Sequence, residues 1–184
     1  MVKRSLLIVL LLFSFTACQS TKNGLTTDAA LDVQGLLQYK DSYVGDNNAV
    51  GNILGKLPGA GYYQGMALYT KQQPYGIEIT YGVKSQEQKE AFADYWTNEQ
   101  KEKVMLTNAT TLFILIENVY EVIFVFECKK GIDTHTITRN QVNDFYGKDV
   151  REFANNQEKW QKEIIDGTLT NKEEVHQFFE NESE

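Results

Sequence analysis

The chain has 184 residues, a formal charge of −7 and 12% aromatic residues. That length suits a single domain with one core. The acidic balance, with no clustered basic patch, argues against nucleic acid and against anionic headgroups as partners.

The first residues set the address. Met1-Val2-Lys3-Arg4 precedes an apolar run from Leu6 to Phe15 broken only by Ser14, and then comes Thr16-Ala17-Cys18. A positive start, a short greasy stretch and small residues before a break form the layout of a secretory signal. A cysteine after small residues has the form of a bacterial lipobox. Thr16 and Ala17 fit that pattern, and Phe15 stands where Leu is preferred. The apolar run falls short of the roughly 20 residues a spanning helix needs. The expectation is a lipoprotein signal peptide at 1–17, with Cys18 acylated (palmitate) as the first mature residue. Two acyl chains suffice for stable anchoring, on the extracytoplasmic face of a cell membrane. Removing the leader, with Lys3 and Arg4, would leave 167 residues carrying −9.

Residues 18–32 are polar, small and aperiodic, and read as a flexible tether. The domain is expected over 33–167, followed by a short helix and acidic tail at 168–184. Gly45-Asp46-Asn47 is turn chemistry, and Asp46 or Asn47 can cap a helix whose stripe is Val50, Ile53, Leu54 and Leu57. Pro58-Gly59 stops it. Tyr62 to Thr70 reads as a strand. After the turn at Lys71–Gly76, Ile77, Ile79 and Tyr81 alternate with Glu78 and Thr80, which completes a hairpin. Ser85 with Gln88 has capping-box spacing and opens a helix bearing Phe92, Tyr95 and Trp96. Thr97 with Gln100 opens another from Asn98. Within it, Thr110–Ile116 has both helical periodicity and strand composition, which local pattern alone leaves open.

Val122–Phe126 is apolar throughout and reads as a central strand covered on both faces. A turn at Lys129–Gly131 joins it to a Thr-rich strand, Asp133–Thr138. Thr138 with Gln141 then opens a helix that Gly147 closes. A longer helix is expected from Asp149 to Gly167, through Val150, Phe153, Trp160 and Ile164. Thr170 with Glu173 opens the last one. Two hairpins with segregated helices indicate an α+β two-layer domain, an antiparallel sheet of about four strands packed by helices.

Several stretches together resemble a family of bacterial exported lipoproteins known as a domain of unknown function. They are Tyr39-Lys40-Asp41-Ser42-Tyr43-Val44-Gly45-Asp46-Asn47, Leu57-Pro58-Gly59, Pro74-Tyr75-Gly76, Tyr81-Gly82, Asn108-Ala109, Leu115-Ile116, Asn118, Arg139 and Tyr146–Arg151. The resemblance covers Leu37 to Ile165. It implies a lipid-anchored extracytoplasmic domain of unassigned activity, a helix over Asn98–Ile116, and a sensory or regulatory role. It supplies no catalytic residues.

Catalytic patterns are missing from the chain itself. His135 and His176 lie far apart without companion ligands at metal-site spacing, so no metal and no cofactor is expected. Cys128 has no neighbouring base and reads as a structural thiol. No nucleophile elbow is present. The Gly51–Leu57 stretch lacks the spacing and hydroxyl of a phosphate loop. What remains is a polar and aromatic set: Tyr43, Asp46, Asn47, Tyr75, Tyr81, Trp96 and Asn118. These either line a ligand or partner surface, or serve as caps, turns and core. The expected function is a binding, regulatory or sensory module at the cell envelope. It would be anchored to the membrane through Cys18, with an envelope protein or small ligand as partner. The alternatives are an envelope hydrolase using paired carboxylates, and a structural surface lipoprotein.

Overall fold

A computed structural model describes residues 31–128 and 131–180. Cys18, the leader, most of the tether and the last four residues of the acidic tail lie outside them.

The fold opens with a single turn, α1 (Val33–Leu36), and then α2 (Asn47–Leu54). Asp46 caps α2, its carboxylate accepting from Ala49 N at 2.9 Å. The helix stops at Leu54 on a Gly55 cap, and the chain then turns through Gly59, which has φ +82°. β1 (Tyr63–Tyr69) and β2 (Gly76–Tyr81) make the first hairpin, with a register shift between Tyr63 and Gly65. α3 (Lys89–Tyr95) and α4 (Asn98–Leu115) cross over to β3 (Glu121–Cys128), which pairs with β4 (Gly131–Thr138). α5 (Arg139–Tyr146), a 3-10 turn at Val150–Asn155, α6 (Gln157–Lys159), a π-helical stretch at Trp160–Thr168 and α7 (Lys172–Glu180) complete the described chain.

This is the expected α+β domain, a four-stranded open sheet packed by helices. One expectation needs correction. The sheet is mixed: order β1-β2-β3-β4, with β2 and β3 parallel. Parallel neighbours require a long crossover, and α3 and α4 supply it. Local pattern marks each hairpin but carries nothing about how two hairpins meet.

Burial along β3 also differs from expectation. Val122, Phe124 and Phe126 are buried, whereas Ile123 and Val125 are half-buried. The inward side chains of β2 and β3 pack in the helix-covered core. On the outer face, Ile123 and Val125 are flanked by Glu78, Thr80, Thr134 and Thr136. Those mostly β-branched neighbours shade them without a second layer.

Thr110–Ile116 is resolved as helix through Leu115. α4 is buried from Val104 to Leu115 on every side, which is why no single stripe identified it. Thr97 caps it, accepting from Gln100 N at 3.3 Å. The capping box at Thr138 forms as expected, with Thr138 N donating 2.6 Å to Gln141 Oε1 and Gln141 N donating 3.3 Å to Thr138 Oγ1. Gly147 is the left-handed C-cap at φ +67°.

Three other end signals fall elsewhere. Ser85 makes no side-chain cap; Gln88 Oε1 instead accepts from Lys84 N at 2.9 Å, and a 3-10 turn precedes α3. The expected long helix from Asp149 breaks at Asn156, which leaves helical geometry (φ −146°, ψ 88°) and caps the next segment by accepting from Lys159 N at 3.0 Å. That segment runs past Gly167, and Leu169 N donates five residues back to Ile164 O. Asn171, not Thr170, caps α7, accepting from Glu173 N at 3.2 Å. Thr170 Oγ1 instead donates back to Asp166 O at 2.6 Å. Val175 and Phe178 of α7 are buried in the common core.

Candidate functional site

The seven sequence-picked residues separate into two places. Tyr81 and Trp96 are interior, 2% and 7% exposed. Trp96 packs 4.9 Å from the rings of both Tyr81 and Phe126, within a cluster that also holds Tyr62, Phe92 and Tyr95. Asn108 of α4 ties this cluster down, its amide donating 2.9 Å to Tyr81 Oη and 3.0 Å to Pro58 O. Burial pushes the Tyr81 phenol well above its ordinary pKa, and the Asn108 bond offsets a little of that. These two residues are core.

The others gather at one end of the sheet, where β2 and β3 begin and β4 runs into α5. Asn118 Oδ1 accepts from Val44 N at 2.8 Å, fastening the 39–47 segment to the α4–β3 loop. Ser42 N donates 3.2 Å to Leu115 O, and Glu117 N donates 2.8 Å to Ser42 O. Asp46 is the α2 cap and Asn47 its exposed first residue, while Tyr43 is 58% exposed. Tyr75 is half-buried, and its carbonyl accepts from Tyr120 N at 2.8 Å.

Beside these lies an open cleft of about 560 Å³. Gln73, Pro74 and Tyr75 form one wall, and Glu117 to Tyr120 another. Arg139 and Arg151 complete the lining. Neither arginine stands out as a site residue in the sequence, though both lie within the stretches that carry the family resemblance. The available signal was Arg139 sitting at a strand-to-helix junction next to a capping threonine.

Arg139 is buried. Its Nε donates 2.9 Å to Val119 O, and its two Nη atoms donate 2.6 Å to Phe113 O and Ile116 O. It thereby satisfies carbonyls at and just beyond the C-terminus of α4, where a cation also meets the helix dipole. Burial and, after it, the neighbouring Arg151 charge push its pKa down to about 10, with Asp149 and Glu117 acting in the opposite direction. Arg151 grips Asp149 with Nε and Nη2, and its Nη1 reaches Glu117 Oε2 at 3.3 Å. The Arg151 hydrogen bonds hold the Asp149 carboxyl below its usual range. Asp149 is therefore ionised at neutral pH and ill suited to donate a proton.

A second groove of about 470 Å³ lies between α4 and α7. There His176 Nδ1 lies 3.2 Å from Glu102 Oε2. On β4, Asp133 is flanked by Lys101 of α4 at 2.6 Å and by its strand neighbour His135 at 3.0 Å. Among the described residues, no group of three or more His, Cys, Asp or Glu is placed to hold a metal ion. Nor is any helix among them long and apolar enough to cross a membrane.

A family model described as a domain of unknown function (DUF4825) matches residues 36–140. The match takes in the 39–47 segment, the Pro74-Tyr75 wall, Asn118 and Arg139, and ends before Arg151. No curated protein and no solved structure matches the chain.

Proposed function

The chain belongs to the DUF4825 family, and from that premise we propose that it is a lipid-anchored, extracytoplasmic binding module with a sensory or regulatory role at the cell envelope. The cleft between the 73–75 wall and the 117–120 loop is its ligand site. One observation carries the reading: segments far apart in sequence, around Tyr75, Asn118, Arg139 and Arg151, converge on that cleft, while the segment holding Tyr43, Asp46 and Asn47 does not line it and is fastened behind it through Val44 N and Asn118. The signal ending at Cys18 supports the location, since its apolar run suits a cleaved leader better than a spanning helix. A carboxylate hydrolase would need one acid kept protonated and a second free to act. Glu117 and Asp149 are instead both engaged by Arg151, which favours binding over hydrolysis.

The test has two arms in intact cells. Cys18→Ala should abolish incorporation of labelled fatty acid and release the protein from the membrane fraction. Persistent labelling would sink the anchoring claim. A photoreactive residue at Gln73, in the cleft wall, should crosslink to one specific envelope component. Abundant protein with no specific crosslink would count against the cleft as the site.

A further inference from the structure

We infer that the cleft holds its ligand through an oxyanion, a carboxylate or phosphate group, bound between Arg139 and Arg151; this deepens the binding reading above and rests on it. Arg139 is only 8% exposed. Among the described residues it has no carboxylate within ion-pair distance, and its three nitrogens meet carbonyl oxygens alone. A guanidinium carries five N–H donors. Three are used, so one remains on each Nη. The end of α4 offsets roughly half a unit of its charge. The remainder meets the face of the Phe113 ring, 5.2 Å away, and no counter-charge in contact, in a place where an uncompensated cation is costly.

Arg151 strengthens the case. It adds a second guanidinium to the same cleft, whose charge repels that of Arg139, and the two carboxylates that act against this repulsion, Asp149 and Glu117, are in contact with Arg151 alone of the two. Its link to Asp149 uses Nε and Nη2 in a fork. Its link to Glu117 is looser, 3.3 Å from a single nitrogen. Glu117 sits on the cleft wall and is 36% exposed at its side chain. We read its carboxylate as an internal stand-in that an incoming oxyanion displaces. Pro74, Tyr75 and Tyr120 supply apolar wall surface, where a charge-assisted hydrogen bond gains strength.

The experiment follows the arginine Nε–H resonances of the full-length, 15N-labelled chain in detergent. Sodium acetate and inorganic phosphate are added separately, with chloride at equal ionic strength as the reference. The expected result is a saturable shift at Arg139 and Arg151 with one or both oxyanions and none with chloride. The two arms show which oxyanion is preferred. Glu117→Gln should tighten the apparent affinity about fivefold by removing the competing carboxylate. Arg151→Gln should weaken it by roughly tenfold or more, with the urea midpoint of the same sample reporting that the fold persists. Arg139 is left intact because it holds the end of α4. A non-saturating response, an equal response to chloride, or unchanged affinity in Arg151→Gln overturns the inference. If the Gln73 crosslinker captures a specific envelope component while neither oxyanion moves the arginines, the cleft binds by other chemistry, and this inference falls without the binding reading.

Discussion

Asn108 is fully buried in the middle of α4, and its partner Pro58 lies 50 positions away in the chain. Its two donated bonds pin the Gly59 turn and the Tyr81 phenol to the same helix. Asn108→Ala would leave a part-buried carbonyl and a buried phenol without that donor. It should lower unfolding stability by about 2–4 kcal/mol, since each orphaned buried group costs about 1–3. Urea denaturation measures it, and a loss under about 1 kcal/mol would show that the bonds are dispensable. Nothing in the local pattern marks Asn108 as a tie, because a polar residue within an apolar run has no local signature. Asp46, Thr97 and Thr138 were legible for the opposite reason: their bonds run to backbone groups three residues on. Arg139 belongs with Asn108, because its acceptors come from positions 20 to 26 residues earlier.

Elements with polar residues on a wet face could be read from their period, and those without could not. α2 and β2 show apolar residues at helical or alternating spacing and form there, although α2 ends at Leu54, ahead of Pro58-Gly59; β3, apolar at every position from Val122 to Phe126, hides its one wet face from the pattern. α4 is enclosed on all sides between the sheet, α5, the 150–155 turn and α7, so its pattern failed over the stretch that matters. α7 has a clear stripe, and its attachment is testable. Phe178 is 3% exposed and packs edge-on at 5.3 Å against the Phe145 ring. Phe179 is only half-buried. Phe178→Ala should cost about 3–5 kcal/mol, as expected for a large side chain removed from a filled core. Phe179→Ala should cost about 1 kcal/mol or less by the typical scale for partly exposed positions. Equal, small losses in thermal and urea unfolding would mean that α7 merely rests on the domain.

The molecule as a whole should be limited by alkali more sharply than by acid. Tyr81 and Tyr146 are both pushed well above the ordinary phenol pKa, chiefly by burial. In the unfolded chain both would ionise near pH 10. Below that pH their contribution to stability is complete. Above it the unfolded state releases protons that the fold retains, so stability falls as pH rises toward the folded values. Arg139 opposes this, because its pKa is pushed down to about 10. The fold gives up that proton before the unfolded chain does, which adds stability over the same range. Two phenols against one guanidinium leave a net loss. On the acid side, hydrogen bonds from Lys101 and Arg151 hold Asp133 and Asp149 below the usual carboxylate range. Their contribution is present above about pH 4 and disappears as pH falls through the folded values. Both side chains are more than a third exposed, so solvent and salt screen that contribution. Urea midpoints measured across pH should therefore be flat from about pH 5 to 9.5. They should decline gently and salt-dependently in acid, and drop steeply with little salt dependence above pH 10. Absorbance should show phenolate from Tyr81 and Tyr146 appearing together with unfolding. Phenolate from every tyrosine near pH 10 in a still-folded protein would contradict the burial on which the argument stands.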